Sequence, residues 1–424
     1  MTAKVRKEIF EKIKKQFEYV RLKSEFYQAK IGPVAEISEA GFFTDIPFTT
    51  KQELLTDQLE HPPFGSNLCV IPEKIRRIHK TSGTTSKPLL LALTALDIET
   101  TVEIGRRCFI SSGLTGNDTV LHCLNYNMWI GGYTDHQSLE ATGAAVIPFG
   151  VGNTENLVET ILLIKPTAIH CTPSYLNKIA LVLKQDFNLA PKELRLKLGL
   201  FGGESGLQNL HFRENIEKTW GIKAMNANYG MADVLSMFGA ECSLQNGLHF
   251  MGDEVLFPEI LDPVSNVNKE IHDGVEGELI LTNLVRESQP LLRYRTNDII
   301  RILSVDPCSC GNKGFRFEVI GRSDDMITIK GVNVFVSAIE KIIFMNLELL
   351  TGVLQIHVNN HDPIDKLLIK LETKLQFPGP DIDFKTNLVR EIKNRIAITP
   401  EIEFLPEGSL PRTEGKSRKI FRTL

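Results

Sequence analysis

The stretch HKTSGTTSKPLLLALT, residues 79–94, decides the reading of this chain. Two short apolar segments flank a loop of Thr81, Ser82, Gly83, Thr84, Thr85, Ser86, Lys87 and Pro88. Hydroxyls and unpaired backbone N–H groups in such a loop can surround phosphate oxygens. Gly83 lets the main chain come close, and Lys87 adds positive charge. The order G-x-x-x-x-G-K-[ST] of a Walker loop is absent, and a strand rather than a helix follows. The segment is therefore a different kind of phosphate loop, or a Ser/Thr-rich surface turn of similar composition.

The surrounding chain supplies the context. Between about residues 70 and 320, apolar strands such as TVLHCL, AAVIPF, TAIHCT and KLGLFGG alternate with the helical segments TENLVETILLI and PSYLNKIALVLKQ. Such alternation predicts an α/β sheet. Upstream, residues 1–30 have the spacing of an amphipathic helix with lysines on its wet face. In DIPFTTKQELLTDQ (45–58), Thr50 is placed to cap a helix with Glu53 as its capping-box partner. The pattern changes after Gly321. Helix SAIEKIIFMN, strands LLTGVLQIHVNN and DKLLIKLET, helix FKTNLVREIKNRIA and strand EIEFLP form an α+β set of roughly 100 residues, the size of a small domain. The charged, turn-like GRSDDM (321–326) suits a hinge, which divides the chain into 1–320 and 321–424.

Composition narrows the function classes. A chain of 424 residues exceeds one ordinary core. Its net charge of -4 argues against a general nucleic-acid binder. No apolar run is long enough to span a bilayer, and the N-terminus MTAKVRKEIFEKIKKQFEYV lacks the apolar centre of a secretory signal, so a cytoplasmic location is expected. Seven cysteines, an odd number, argue against a disulfide framework.

TSGTTSKP resembles the phosphate loop of the adenylate-forming superfamily, which includes acyl-coenzyme A synthetases, peptide-synthetase adenylation domains and luciferases. DIPFTTKQELLTDQLEHPPFG and RIHKTSGTTSKP resemble one branch of it, the phenylacetate–coenzyme A ligases. Further segments match in order. NANYGMAD (226–233) resembles the Y-G-x-x-E motif, and LLRYRTNDI (291–299) the Y-R-T-x-D motif. GRSDDMITIKGVNVFVSAIE (321–340) resembles the hinge motif, and LPRTEGKSRKI (410–420) the C-terminal lysine motif. The resemblance implies a large N-terminal adenylate-forming domain with mixed sheets and helices, and a small α+β C-terminal lid. It implies two half-reactions: carboxylate and ATP give acyl-AMP and pyrophosphate, then the acyl group passes to a thiol. An anion attacking an anion requires charge neutralisation and alignment.

The roles carried over follow that need. Lys416 would reach the carboxylate and the α-phosphate from the lid; by itself it reads as a solvated lysine in a basic tail. Asp298 would accept hydrogen bonds from the ribose hydroxyls. Arg322 would face the nucleotide, with Asp324 as the pivot. Tyr229 and Gly230 would line the adenine pocket beside Gly202, Gly203 and Glu204 of FGGES. The G-x-S-x-G spacing of a hydrolase elbow is missing there. Asp233 stands where the family usually has glutamate and would help hold Mg²⁺ with a shorter side chain. Ser86 stands where a glycine is usual.

Two further groups carry chemistry. Cys308 and Cys310 form a C-x-C pair, and Cys242 with His249 sits in ECSLQNGLHF. Together they make a Cys₃His donor set for structural zinc, or else three buried thiols and an exposed histidine. Some phenylacetate–coenzyme A ligase-like proteins are similar here and carry zinc. WIGGYTDHQSLEATG (129–143) resembles the acyl-pocket stretch of the branch, where Tyr133, Thr134, Asp135, His136 and Ser138 add bulk and polarity. They imply an acid smaller or more polar than phenylacetate. Asp135 is placed either to pair with an amine or to cap the following helix. Coenzyme A is the expected acceptor. A carrier-protein thiol or an amine would use the same adenylation residues, and a non-catalytic nucleotide-binding module is the reading from another class. The resemblance also implies a possible homodimer.

Overall fold

The computed structural model describes residues 7–81, 88–204, 206–323, 326–329, 332–359, 364, 366–374, 382–411 and 419–422. They form two compact units. The first is Met1–Val151, Ala168–His170 and Met225–Val319; the second is Gly152–Thr167, Cys171–Ala224 and Ile320–Leu424.

In the first unit the amphipathic N-terminus forms two helices, Lys7–Lys23 and Glu25–Ile31. Ser24 separates them, its hydroxyl accepting from the Tyr27 N–H and capping the second. Their apolar face, Ile13, Phe17, Val20, Tyr27 and Ile31, packs with Phe42, Ile46, Leu284 and Leu292. Thr50 caps helix Lys51–Glu60, and Glu53 reaches back to the Thr50 N–H at 2.8 Å. Strands Arg77–Lys80 and Leu90–Leu93 pair antiparallel as the two arms of a hairpin.

In the first unit the parallel strand pairs fall in a short part of the chain; the C-terminal sheet has its own, Leu367–Thr373 with Glu401–Leu405 and Leu350–Val358 with Ile420–Arg422. Thr119–His122 lies between Ala145–Pro148 and Ala168–Cys171, with Val120 opposite both Val146 and Ala168. The remaining strands of the first unit run antiparallel, which departs from the α/β alternation expected as far as residue 320. The connections explain it. Consecutive strands there are joined by turns such as residues 232–234, and antiparallel neighbours need no crossover helix. Tyr229 pairs with Gly239, Gly239 with Phe250, Leu248 with Phe317, and Leu281 with Tyr294.

The second unit contains helices Thr154–Ile164, Tyr175–Val182 and Leu210–Trp220 and strand Leu198–Gly202. Its C-terminal part is a four-stranded sheet in the order Glu401–Leu405, Leu367–Thr373, Leu350–Val358, Ile420–Arg422. Helices Val336–Phe344 and Ile382–Ile396 join it in one core through Ile339, Ile343, Leu388 and Ile392. The buried Glu372 carboxylate accepts from the Gly408 and Leu410 N–H groups, which fixes the turn after the strand Glu401–Leu405.

One buried ion pair ties the N-terminal segment of the first unit to its sheet. The Arg293 guanidinium bonds Glu259 at 3.0 Å, donates to the Phe43 and Ile46 carbonyls and lies 4.1 Å from the Phe48 ring centroid. A buried pair contributes little net stability when intact, but removing one partner strands the other charge. Glu259→Ala should therefore destabilise the protein by about 3–5 kcal/mol, read as a lower denaturant midpoint. A change within experimental error would contradict this packing.

Candidate active site

The hairpin on either side of residues 82–87 is bridged next to them. The Thr81 N–H donates to the Leu89 carbonyl at 2.9 Å, and the Leu89 N–H donates to the Thr81 hydroxyl at 3.0 Å. Gln58, from the capped helix, holds both the N–H and the carbonyl of Leu90. Ser82, Gly83, Thr84, Thr85, Ser86 and Lys87 lie outside the described residues, as do Asp324 and Lys416.

The two acid-bearing motifs meet. NANYGMAD occupies strand Lys223–Met231 and the turn after it, while Tyr294 and Asp298 of LLRYRTNDI lie on strand Tyr294–Ser304. They exchange tyrosine–carboxylate hydrogen bonds. The Tyr229 hydroxyl donates to Asp298 Oδ2 at 2.8 Å, and the Tyr294 hydroxyl donates to Asp233 Oδ2 at 2.7 Å. Each motif thus positions the acid of the other. Gly230 sits where the pairing register of this hairpin shifts. A Cβ there would lie 2.1 Å from the Ser236 carbonyl oxygen, so only glycine lets the strands approach. The Tyr229 ring meets Phe238 and Phe317 edge-on, which fixes its direction.

The rest of the second motif is anchored by its neighbours. Arg295 pairs with the fully buried Glu278 at 2.5 Å, and the Thr296 hydroxyl donates to the Leu279 carbonyl. Asn297 takes φ +62°, and Glu278 Oε1 accepts its N–H. The Asp298 N–H then donates to the Thr296 hydroxyl, leaving its carboxylate toward Tyr229.

Asp233 is 7% exposed. Its Oδ2 takes Tyr294 and lies 3.5 Å from Lys51 Nζ, at the start of the capped helix. Its Oδ1 is buried and has no hydrogen-bond partner among the described residues. A buried carboxylate oxygen without a donor is a high-energy arrangement that a cation would relieve, so the site fits a hard divalent ion. Sequence reasoning passed over Lys51 because a lysine at the head of a helix is ordinary composition.

In the second unit, Gly203 has φ +78°, which favours glycine, and Glu204 accepts from the Ser174 N–H at 3.2 Å. Arg322 ends strand Arg316–Arg322 and is half-buried.

The acyl-pocket stretch forms helix Ile130–Glu140. Asp135 departs from both of its expected uses. It lies inside this helix, whose cap position is Trp129, and both oxygens already accept: Oδ2 from Asn228 Nδ2 at 2.5 Å and Oδ1 from the Ser236 hydroxyl at 3.2 Å. Burial pushes its carboxyl well above the usual range, and those two donors offset only part of the rise. Asp135 is thus a cross-link to the Tyr229-bearing hairpin. Tyr133 is exposed, stacks on His136 with planes 7° apart, and has the Arg77 guanidinium over its ring at 4.5 Å. His136 Nδ1 is 3.0 Å from the Tyr126 hydroxyl. The buried Thr134 hydroxyl has no partner among the described residues.

Beneath this helix two buried histidines share one hydrogen bond. His122 Nδ1 lies 2.9 Å from His170 Nδ1, and His122 Nε2 lies 2.7 Å from the Gly132 carbonyl oxygen. Burial lowers His122 to about 4, so it is neutral. Its Nε2 must carry the proton toward the carbonyl, and its Nδ1 accepts from His170. Both residues read in sequence as strand positions, and no local signal singled them out.

The ligating atoms of Cys242, His249, Cys308 and Cys310 all lie within 4.8 Å of one another, and Cys310 Sγ is 3.6 Å from His249 Nε2. Segments more than fifty residues apart are brought together because strand Leu248–Phe250 pairs with Arg316–Arg322. His249 is fully buried rather than exposed, and that burial is the main cause that lowers its pKa below the usual imidazole value. Three thiols and a neutral imidazole are a complete tetrahedral donor set, so the cluster fits zinc.

Known proteins fit this geometry. Residues 331–423 match the AMP-binding enzyme C-terminal domain. The phenylacetate–coenzyme A ligase of Thermus thermophilus is 30% identical over 436 residues, covering 97% of this chain and 94% of that protein. The Escherichia coli enzyme of the same name is 32% identical over 380 residues, covering 88% and 84%. The structure of 2-hydroxyisobutyryl-CoA ligase in the postadenylation state, in complex with 2-HIB-AMP, is similar with a TM-score of 0.88 at 25% identity, covering 98% of this chain and 89% of that one. The fold and the paired motifs are those of an AMP-forming acid–thiol ligase. Within that class, the chain belongs to the phenylacetate–coenzyme A ligase family.

Hydrogen bonds to charged groups contribute about 1.5–3 kcal/mol. Tyr294→Phe leaves Asp233 with one donor fewer in a buried setting and should lower stability by about that amount, measured by chemical denaturation. An unchanged midpoint would show that the exchanged bonds do not hold the site.

Proposed function

We propose that this protein activates a small carboxylic acid, aryl or related, as its acyl-adenylate at the expense of ATP, and then forms the coenzyme A thioester. The observation that carries this reading is the pair of exchanged tyrosine–carboxylate bonds. They hold both acids in place: in this reading Asp298 takes two adjacent ribose hydroxyls, and Asp233, whose Oδ1 has no hydrogen-bond partner among the described residues, takes a cation. When bound, magnesium would neutralise phosphate oxygens and so permit attack by an anion.

The protein's own groups supply the rest. Thr81, Ser82, Gly83, Thr84, Thr85 and Lys87 hold the polyphosphate from the tip of a pinned hairpin. Tyr229, Gly230, Gly203 and Glu204 border the adenine, and Arg322 faces the nucleotide. Residues 321–424 act as a lid pivoting at Asp324, and Lys416 joins carboxylate to α-phosphate in the closed state. Tyr133, Thr134 and His136 border the acyl group. The Thr134 hydroxyl, without a partner among the described residues, and the polar His136 favour an acid smaller or more polar than phenylacetate. A cytoplasmic enzyme, with zinc on Cys242, His249, Cys308 and Cys310 as a structural ion, fits this reading. Among the described residues no helix is long and apolar enough to cross a membrane.

A pyrophosphate-exchange screen over carboxylic acids tests the substrate class. Small or hydroxylated acids should exceed phenylacetate, and a strong preference for plain phenylacetate would overturn the assignment. AMP release should depend on coenzyme A; release with a carrier-protein thiol or an amine instead would change the acceptor. Lys416→Ala should cut acyl-AMP formation by at least about 100-fold while sparing thioester formation from supplied acyl-AMP. Metal analysis should find one zinc per chain, lost in Cys308→Ser with a lower melting temperature.

A further inference from the structure

The turn that carries Asp233 is held from behind by a buried guanidinium. Arg286 is 8% exposed, and its Nη1 donates to the carbonyls of Asp233 at 2.9 Å and Val234 at 2.8 Å. Asn283 Nδ2 adds a weaker bond to the Val234 carbonyl at 3.3 Å. The Arg286 segment is fixed in turn by Asp97, whose carboxylate accepts from the Glu287 N–H at 2.8 Å and the Ser288 N–H at 3.1 Å while it completes the capping box of helix Ala95–Ser111. Asp97 and Asp233 both attract the guanidinium electrostatically. Burial pushes the Asp97 carboxyl up, but Arg286 and the backbone donors hold it below the usual range.

Burying a guanidinium to hold two main-chain carbonyls is a poor route to stability. An apolar side chain of similar volume often does as well or better, and here Nε and Nη2 also lack partners among the described residues. What the arrangement does provide is a rigid turn. Tyr294 fixes one oxygen of Asp233, Arg286 fixes its backbone, and the direction of Oδ1 is then determined. Groups behind a metal ligand set its orientation in this way.

We propose that Arg286 is a positioning residue for adenylation: it holds the turn so that Asp233 Oδ1 meets the cation of Mg-ATP. This rests on the reading of Asp233 as a cation ligand. Arg286 touches neither substrate nor metal and acts only through the main chain.

The test compares Arg286→Met, Arg286→Lys and Asp233→Asn in the full-length enzyme. It reads the Mg²⁺ concentration that half-saturates pyrophosphate exchange, and separately thioester formation from supplied acyl-AMP, which carries no triphosphate. Arg286→Met should raise the Mg²⁺ requirement about tenfold, with excess Mg²⁺ restoring most of the rate and the second half-reaction unchanged. Lysine keeps a charged donor near both carbonyls, so Arg286→Lys should shift it less, about threefold. That variant carries the test alone if the methionine variant does not fold. Equal losses in both half-reactions with no Mg²⁺ shift mean a purely structural role and overturn the inference. If Asp233→Asn shifts the requirement and the Arg286 variants do not, only the Arg286 inference falls. If Asp233→Asn leaves it unchanged, the cation reading falls and the inference with it.

Discussion

Two tyrosine hydroxyls, each donating to the carboxylate carried by the other motif, hold the candidate site together. Tyr229 reaches Asp298 and Tyr294 reaches Asp233, so each acid is oriented in part by the other motif. The exchange needs the two strands at a fixed offset. The register shift at Gly230 and the Arg295–Glu278 pair that anchors Asn297 both serve that offset. Buried networks of this kind are stiff when every member is satisfied. Among the described residues Asp233 Oδ1 has no hydrogen-bond partner, and the proposed cation would supply one.

Around this centre the chain repeats one device: polar side chains that pin main-chain turns. Thr81 and Gln58 bond Leu89 and Leu90 where the second hairpin strand begins. Asp97 fixes the segment of Arg286, and Arg286 fixes the turn of Asp233. In the other unit Glu372 holds the Gly408 and Leu410 N–H groups. Most of these contacts tie residues distant in sequence, so the turns they pin are set by the tertiary fold rather than by their own residues.

Much of this was legible beforehand. The capping box of Thr50 and Glu53, the parallel strands TVLHCL and TAIHCT and the C-terminal α+β elements follow from local pattern, because caps and apolar periodicity act over a few residues. The Cys₃His cluster was readable from residue type, although the pairing that assembles it was not. The partners of the acids were not legible. Arg286 reaches the Asp233 carbonyl, and Asn228 the Asp135 carboxylate, only because tertiary packing brings them there; an arginine after a strand or an asparagine within one carries no local signal of its partner. Asp135 shows the converse: a polar residue in a candidate pocket looked like a ligand group, yet burial and two donors make it a cross-link.

The claim that matters most is that the exchanged bonds present Asp298 to the nucleotide. It is tested most directly by measuring the affinity of the folded Asp298→Asn variant for Mg-ATP by calorimetry. The account predicts a dissociation constant raised at least about tenfold, as expected when a charge-assisted pair of hydrogen bonds is lost. An affinity equal to that of the unaltered protein would contradict it.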